Sequence, residues 1–427
     1  MGIANIIFAL LFIGAVILFT INVRKILFNI RLGKDVKRTD NKSERMRTMI
    51  RVALGQSKMT SRPFAAFLHI IVYAGFILVN LEMLEIFIDG LIGTHRVLKP
   101  MLGNFYFVMV NFFEILAAAV AIACIVFLVR RNFKAVKRFQ GPDLKGWAFK
   151  DGNIILITEV LMMSALLIMN AADVQGGFLI SGYLKPILPE NHESLHLIEQ
   201  TAWWFHVVGV FAFLNYLPFS KHLHIIWAFP NTYFSNLLPK GRLTNMESVT
   251  REVKLMLDPS ADPYAAQPAT DGAPQRFGAK DVTDLTWVNI MNAYTCTECG
   301  RCTSSCPANI TGKKLSPRKI MMNVRDRVEE LGKAKQKNGI EFHDGKFLLG
   351  DYITDEEVWA CTSCNACVQE CPVNIDPLAI IIDLRRYLVM EESKLPAELA
   401  GMATNIENNQ APWQFSPADR FNWANEA

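Results

Sequence analysis

Five stretches of the chain exceed the roughly 18 apolar residues that mark a membrane-crossing helix: about Ile3–Val23, Phe64–Ile88, Phe105–Val129, Ile154–Ala172 and Ile198–Leu217. All lie in the first 230 or so residues, and the remainder is of a different character. With 51% apolar residues and a positive mean hydropathy, the chain is too oily for a water-soluble protein and too polar for one wholly in lipid. Two parts are therefore expected. The first apolar run follows MGIAN with no basic start and no small-residue cleavage site, so it is read as a retained span and not a signal peptide.

The net charge of +4 says little, but the placement of the charges is informative. Between the first two spans, Arg24 to Arg62, stand twelve basic residues against three acids; after the third span, Arg130 to Lys150, stand seven more, Lys134 among them. By the positive-inside rule both loops face the cytoplasm, and the cation-poor loops Asp89–Asn104 and Asp173–Leu197 face out. The N-terminus is then outside, and everything after about Ser220 is cytoplasmic. Nothing in this pattern calls for a nucleic-acid partner.

Eight of the nine cysteines stand in two blocks, CTECGRCTSSCP from Cys296 and CTSCNACVQECP from Cys361; the ninth, Cys124, is a small packing residue in an apolar run. In a reducing compartment a disulfide framework is disfavoured and metal binding favoured. Each block reads C-x2-C-x2-C-x3-C-P. Three thiolates at that spacing wrap one face of an iron–sulfur cube, and in two-cluster ferredoxins the fourth ligates the other cluster. Two [4Fe–4S] clusters are therefore expected, one on Cys296, Cys299, Cys302 and Cys371, the other on Cys361, Cys364, Cys367 and Cys306. Zinc needs four ligands and has no use for a third evenly spaced cysteine followed by C-P, twice over.

Between the blocks, SPRKIMMNVRDRVEELG (Ser316–Gly332) has a serine cap, a proline at the first position and a closing glycine; DPLAIIIDLRRYLVMEE after the second block starts in the same way. The fold class predicted is all-α, a five-helix transmembrane bundle joined to a mostly helical two-cluster domain. The expected divisions are 1–230 membrane, 231–285 linker (with the proline- and alanine-rich Asp258–Gly278), 286–393 cluster domain, and a docking tail at 394–427 containing Trp413, Phe415 and Trp423. The basic residues near the clusters, Lys313, Lys314, Arg318, Lys319, Arg385 and Arg386, offset cluster charge, face an acidic partner or form a solvated face.

Ionisable residues inside a span are functional candidates, because hydrocarbon penalises them. His69 is on the second span, and His206, His222 and His224 are on or just after the fifth. On a continuous helix the eighteen residues from His206 to His224 make five turns, placing both on one face but about 27 Å apart, with His222 turned roughly 160° away. One haem cannot take both. By membrane side, haem b between His69 and His224 is the better match, and His69 with His206 is the fallback. Against this stands a packing role for each histidine, and an interfacial basic cluster for SKHLH. Glu82, Glu85, Glu114, Glu159 and Asp173 are candidates for relaying quinol protons, while Trp203 and Trp204 read first as interface anchors.

Taken together, these features resemble the membrane-bound heterodisulfide-reductase-like iron–sulfur proteins: a five-helix domain similar to the cytochrome b (gamma) subunit of respiratory nitrate reductase, followed by a helical double-cluster ferredoxin domain. The resemblance covers nearly the whole chain and is specific at the two cysteine blocks. It implies haem b, exchange of electrons with a quinone, and a separate cytoplasmic redox subunit as partner, in a bacterial or archaeal cytoplasmic membrane. Two departures count. Members with two haems carry two histidines about ten residues apart on the second helix, where this chain has Met59 and Val79 on either side of His69; the second haem is not carried over. No CCG module is present, so the catalytic module is expected on another polypeptide, a CCG-module protein, electron-transfer flavoprotein or dehydrogenase. No catalytic residue is assigned. The alternative is a non-catalytic membrane anchor or redox sensor, which would not require the buried histidines.

Overall fold

A computed structural model of the chain describes residues 2–133, 136–174, 178–258, 260, 276–414 and 416–425. Lys134, most of the proline- and alanine-rich linker and Phe415 lie outside the described residues. The five apolar runs form helices α1 (Ile3–Ile30), α2 (Pro63–Ile92), α3 (Asn104–Asn132), α4 (Trp147–Ala172) and α5 (His192–Tyr216). Each is long and apolar enough to cross a membrane. They overrun the apolar stretches because local signals set the ends. Pro63 brings a pre-set φ to the first turn of α2, and Gly93 at φ +85° closes it in a left-handed conformation that a side chain resists.

Each helix packs on the next, and α5 returns to α1, closing a ring. Large apolar side chains such as Ile6, Leu10, Phe67, Phe105, Ile122 and Phe205 cover the outside, a belt that water would penalise and lipid accommodates. Inside, Phe8 is fully buried. Its ring lies 5.7 Å from those of Trp203 and Phe211 and 6.2 Å from that of Phe87. Gly90 makes the room, since a Cβ there would sit 2.7 Å from the Phe8 ring.

The fifth helix stops at Tyr216. Two single 3₁₀ turns follow, Leu217–Phe219 and Lys221–Leu223, before α6 (His224–Tyr233) begins. Pro218 lies in the first of these turns and withholds a backbone donor. The chain from His206 to His224 is therefore not one helix, and the facing expected from eighteen residues of continuous helix does not apply. The break sets the His222 and His224 rings side by side, 5.6 Å apart.

The second part is also helical, with α7 (Trp287–Thr295), α8 (Pro317–Asn338) and α9 (Pro377–Met390) framing the cysteine blocks. Among the described residues there is no strand, only isolated bridges. The Ser316 hydroxyl caps α8 by accepting from the Lys319 amide at 3.3 Å, and Asp376 caps α9 by accepting from Ala379 at 3.0 Å. Contrary to the sequence expectation, Gly332 does not end α8. It is buried within the helix, where a Cβ would come 1.9 Å from Asn29 Oδ1 of α1, and Asn29 donates to the Tyr294 hydroxyl at 2.8 Å.

At about 1.5 Å per residue the 28 residues of α1 span about 42 Å, against about 30 Å of hydrocarbon. Its last turns stand clear of the bundle and enter the second core. Ile26 and Ile30 of α1, with Leu217 and Leu223, share one buried cluster with Ile290, Val324, Leu331, Ile380 and Leu384. Ala279, Val282 and Leu285 are fully buried in that cluster, whereas the helix Glu247–Leu257 buries none of its residues. The tail helix Ala397–Asn409 buries none of its residues, and Trp413 and Trp423 are 60% and 73% exposed.

The seam between the two parts is sealed by backbone pairing: Lys34 donates to the Leu285 carbonyl at 2.7 Å, and Trp287 donates to that of Lys34 at 3.0 Å. A Cβ on Gly33 would meet Trp287 N at 2.7 Å and Thr286 C at 2.8 Å, backbone atoms that cannot swing aside. Gly33→Ala is expected to weaken this seam by about 1–3 kcal/mol, the usual cost of overpacking. Thermal unfolding of the purified protein, followed by helical circular dichroism, should show an earlier transition, while Gly14→Ala, where an added Cβ meets open space, should not.

Candidate electron-transfer site

The two cysteine loops share one backbone pattern. In the first, Glu298 (φ +54°) and Gly300 (φ +72°) flank Cys299; in the second, Ser363 (φ +55°) and Asn365 (φ +62°) flank Cys364. Left-handed residues on both sides of the middle cysteine fold each loop into a tight arc. Glycine and asparagine take such a φ at low cost, whereas glutamate and serine are strained there. A short helix then follows in each block, Arg301–Ser304 and Ala366–Glu370.

The structure gathers the cysteines into two hollows. One is lined by Cys296, Cys299, Cys302, Cys367 and Cys371; the other is lined by Cys306, Cys361, Cys364 and Cys367, so Cys367 borders both. The last cysteine of each block thus lies at the hollow of the other block. All are free thiols, and of the eight only Cys364 is exposed. Burial pushes the Cys296 thiol up to about 12 and Cys371 up to about 11. Without a cation, these thiols stay neutral at physiological pH. A metal cluster that replaces their protons is the chemistry that such a sulfur-lined hollow fits.

The first hollow faces the membrane helices. Arg138, from the α3–α4 loop, donates to the Cys299 carbonyl at 2.8 Å, and Lys58, ahead of α2, donates to the Cys371 carbonyl at 3.0 Å. Arg301, inside the first block and 4% exposed, donates to the Lys58 carbonyl at 3.0 Å and lies within electrostatic range of His69. The second hollow lies away from this junction and carries the exposed Cys364.

A buried chain of charges runs beneath the first block. Glu298 accepts from Lys221 Nζ at 2.5 Å and from Arg325 at 2.6 Å, and Lys221 stands 3.7 Å from Asp151 of α4. Burial would raise the Glu298 carboxyl, but Arg325 and Lys221 outweigh it and hold the group below its ordinary value. A second junction pairs Arg318 of α8 with Asp143 of the α3–α4 loop, Nε to Oδ2 at 2.9 Å, with side chains 1% and 7% exposed.

His69, His222 and His224 gather at the same end of the bundle, each within electrostatic range of another of the three. His69 Nδ1 and His222 Nε2 are buried without a hydrogen-bond partner, while His224 Nδ1 is 3.0 Å from the Lys221 carbonyl. Two orphaned ring nitrogens in one apolar neighbourhood fit axial ligation of a haem iron. His206 lies elsewhere and is satisfied: Nδ1 is 2.9 Å from the Met162 carbonyl and Nε2 is 3.0 Å from Met83 Sδ. Met83 is fourteen residues beyond His69 on α2, about 21 Å along the axis. The structure does not bring His206 to His69.

Sequence reasoning misses the parts that His222, Arg301, Lys58 and Asp143 play. Helix phase turns His222 away from the other histidines, and the Pro218 break cancels that phase. The other three are ordinary loop cations and an acid until the fold buries them.

Residues 295–375 match the 4Fe-4S dicluster domain family. Over 97% of its length the chain is 29% identical to a probable iron-sulfur-binding oxidoreductase, FadF, of Bacillus subtilis. It is 25% identical over 92% of its length to an EtfAB:quinone oxidoreductase of Syntrophomonas wolfei. A quarter of it is 33% identical to one subunit of a ferredoxin/F(420)H(2)-dependent CoB-CoM heterodisulfide reductase of Methanosarcina acetivorans, covering 52% of that polypeptide. The chain spans 59% and 55% of the lengths of the first two relatives. No solved structure matches it.

The Asp143–Arg318 pair gives a pH-dependent expectation. Burial raises the Asp143 carboxyl, but hydrogen bonding and charge from Arg318, then Ser316, leave it below its ordinary value of 3.8. A depressed acid contributes its full stability above the unfolded value and loses it as pH falls through the folded one, so the pair should fail only below about pH 4. Asp143→Ala, which leaves Arg318 buried and uncompensated, is expected to cost roughly 3–5 kcal/mol at neutral pH. Denaturant unfolding of the two proteins at pH 7 measures it.

Proposed function

Since the chain carries a 4Fe-4S dicluster domain and its relatives include iron–sulfur oxidoreductases and a heterodisulfide reductase polypeptide, we propose that it is a membrane electron-transfer subunit. It moves electrons between a quinone in the lipid and a redox partner in the cytoplasm, through haem b and two [4Fe–4S] clusters. The observation that carries this reading is the contact between the sulfur-lined hollow nearest the bundle and the helix end that holds His69, His222 and His224. The quinone and the partner rest on the similarity to the Syntrophomonas relative, whose name joins Etf to quinone; an electron-transfer flavoprotein is the partner that this name favours.

In this reading Cys296, Cys299, Cys302 and Cys371 hold the cluster nearer the membrane, and Cys361, Cys364, Cys367 and Cys306 hold the outer one. Haem b, when bound, supplies a one-electron relay in the bundle. His69 would hold it from α2, and His222 or His224 from the turns that follow α5. The chain's own groups set the path. Arg138 and Lys58 fix the carbonyls of two ligand-bearing residues, and Arg301 places a buried cation between the first hollow and His69, where it favours added negative charge. The exposed Cys364 marks the side where electrons leave for, or arrive from, the partner. The basic loops between the spans support a reading in which this end faces the cytoplasm and the N-terminus lies outside.

Two measurements test the assignment. In anaerobically prepared protein, Cys371→Ser should alter the magnetic resonance signal of one cluster and Cys306→Ser that of the other; a common effect of both would overturn the exchange of fourth ligands. His69→Ala should abolish the alpha and Soret bands of b-type haem, while His206→Ala, whose ring is held by Met83 and Met162, should keep them. Absence of haem from the wild-type protein would favour the anchor or sensor reading.

A further inference from the structure

The opposite end of the bundle holds a group of residues that this electron path does not use. His95, in the α2–α3 loop, Asp173, just past α4, and Glu199, on α5, bring ligand-type atoms within 4.8 Å of one another. His95 Nε2 is 3.0 Å from Glu199 Oε1, and His196, one turn earlier on α5, places Nδ1 3.9 Å from Glu199 Oε2. Asp173 also accepts from Arg96 Nε at 2.6 Å, a contact that fixes the carboxylate in place. Arg96 is held in turn by Tyr106 at 2.9 Å and Asn170 at 3.0 Å.

Behind this group lies a cavity of about 270 Å³, lined by Glu82, Glu85, Asp89, Arg96, His95 and Glu199 among others. Glu82 is the independent sign of an occupant. It is 2% exposed, and neither carboxylate oxygen has a hydrogen-bond partner. A buried, unpartnered carboxyl is costly, and four acids (Glu82, Glu85, Asp89, Glu199) face one arginine around the space, an arginine that Asp173 already engages. The imbalance favours a cation. A monovalent ion would not need imidazole; a donor set of imidazole and carboxylates suits a divalent transition ion of the zinc class.

We propose that this end of the bundle binds one zinc-class divalent cation through His95, Glu199 and Asp173, with His196 as a further donor and Glu82 compensating its charge from the cavity floor. Bonds of about 2.0–2.2 Å require donors about 3.5 Å apart, and His95, half-exposed at its side chain, has the freedom to close that gap. The ion ties the α2–α3 loop to α4 and α5 and closes the mouth of the cavity.

The test uses the full-length protein in detergent with its clusters loaded, washed with a chelator and titrated with zinc chloride by calorimetry. One equivalent should bind, at least tenfold more weakly in His95→Ala and in Glu199→Gln, with iron content unchanged in both. No binding by the wild type, or equal binding by the variants, overturns the proposal. Should a variant lose iron and so report misfolding, the wild type with cobalt chloride decides. Nitrogen and oxygen ligation without a sulfur-to-cobalt charge-transfer band supports this site, whereas that band places the ion on the cluster cysteines and overturns it.

Discussion

A buried charge must be met by another, and the junction between the two parts of this protein is built on that requirement. Glu298 sits in the first cysteine loop at a left-handed φ of +54°, 3% exposed. It is stable there because Lys221 from the end of the bundle and Arg325 from α8 both reach it. Remove both cations and a carboxylate is left unpaired in low dielectric, beside the Cys296 and Cys371 thiols, which burial holds protonated. The loop geometry, the docking of the second part and the position of the nearer hollow all follow from this compensation.

The same logic sorts the cations of the basic loops. On sequence grounds they are expected to orient the helices in the membrane, which concerns their number. In the fold, individual members take separate tasks: Arg138 and Lys58 grip the carbonyls of Cys299 and Cys371, and Arg45, 1% exposed, pairs with Asp40 and reaches the Ser235 carbonyl at 3.0 Å. A loop rich in cations therefore also serves as a socket. The cost of burying those charges is offset by backbone carbonyls of the cysteine blocks for Arg138 and Lys58, and for Arg45 by Asp40 of its own loop and the Tyr233 and Ser235 carbonyls.

The two ends of the bundle differ in the way they treat polar groups. Near the cysteine blocks, histidines lie in an apolar setting with two ring nitrogens unmet. At the other end, acids surround a cavity, with Glu82 at its floor. Between them the interior is aromatic and tightly packed around Phe8, with Met83 and Met162 closing on His206. That packing separates the two polar regions and gives His206 a structural role in the bundle.

Much of this was legible in the sequence, for reasons of period and spacing. Apolar runs of membrane length are local facts, as are C-x2-C-x2-C-x3-C-P and the serine and aspartate caps of α8 and α9. Each depends only on neighbours along the chain, so the five long helices and the helical second part could be read directly. What lay beyond reach depended on contacts between residues far apart. Gly332 looks like a helix end, yet it continues α8 because Asn29 comes against it; His222 looks misplaced until Pro218 breaks α5. Asp143 and Arg318, separated by more than a hundred positions, become one ion pair only through folding. The chain by itself determined which segments are helices and which side chains have the chemistry to serve as ligands. Tertiary structure alone decided which of them meet, because burial and charge compensation are set by the partner that packing delivers and not by the next residue.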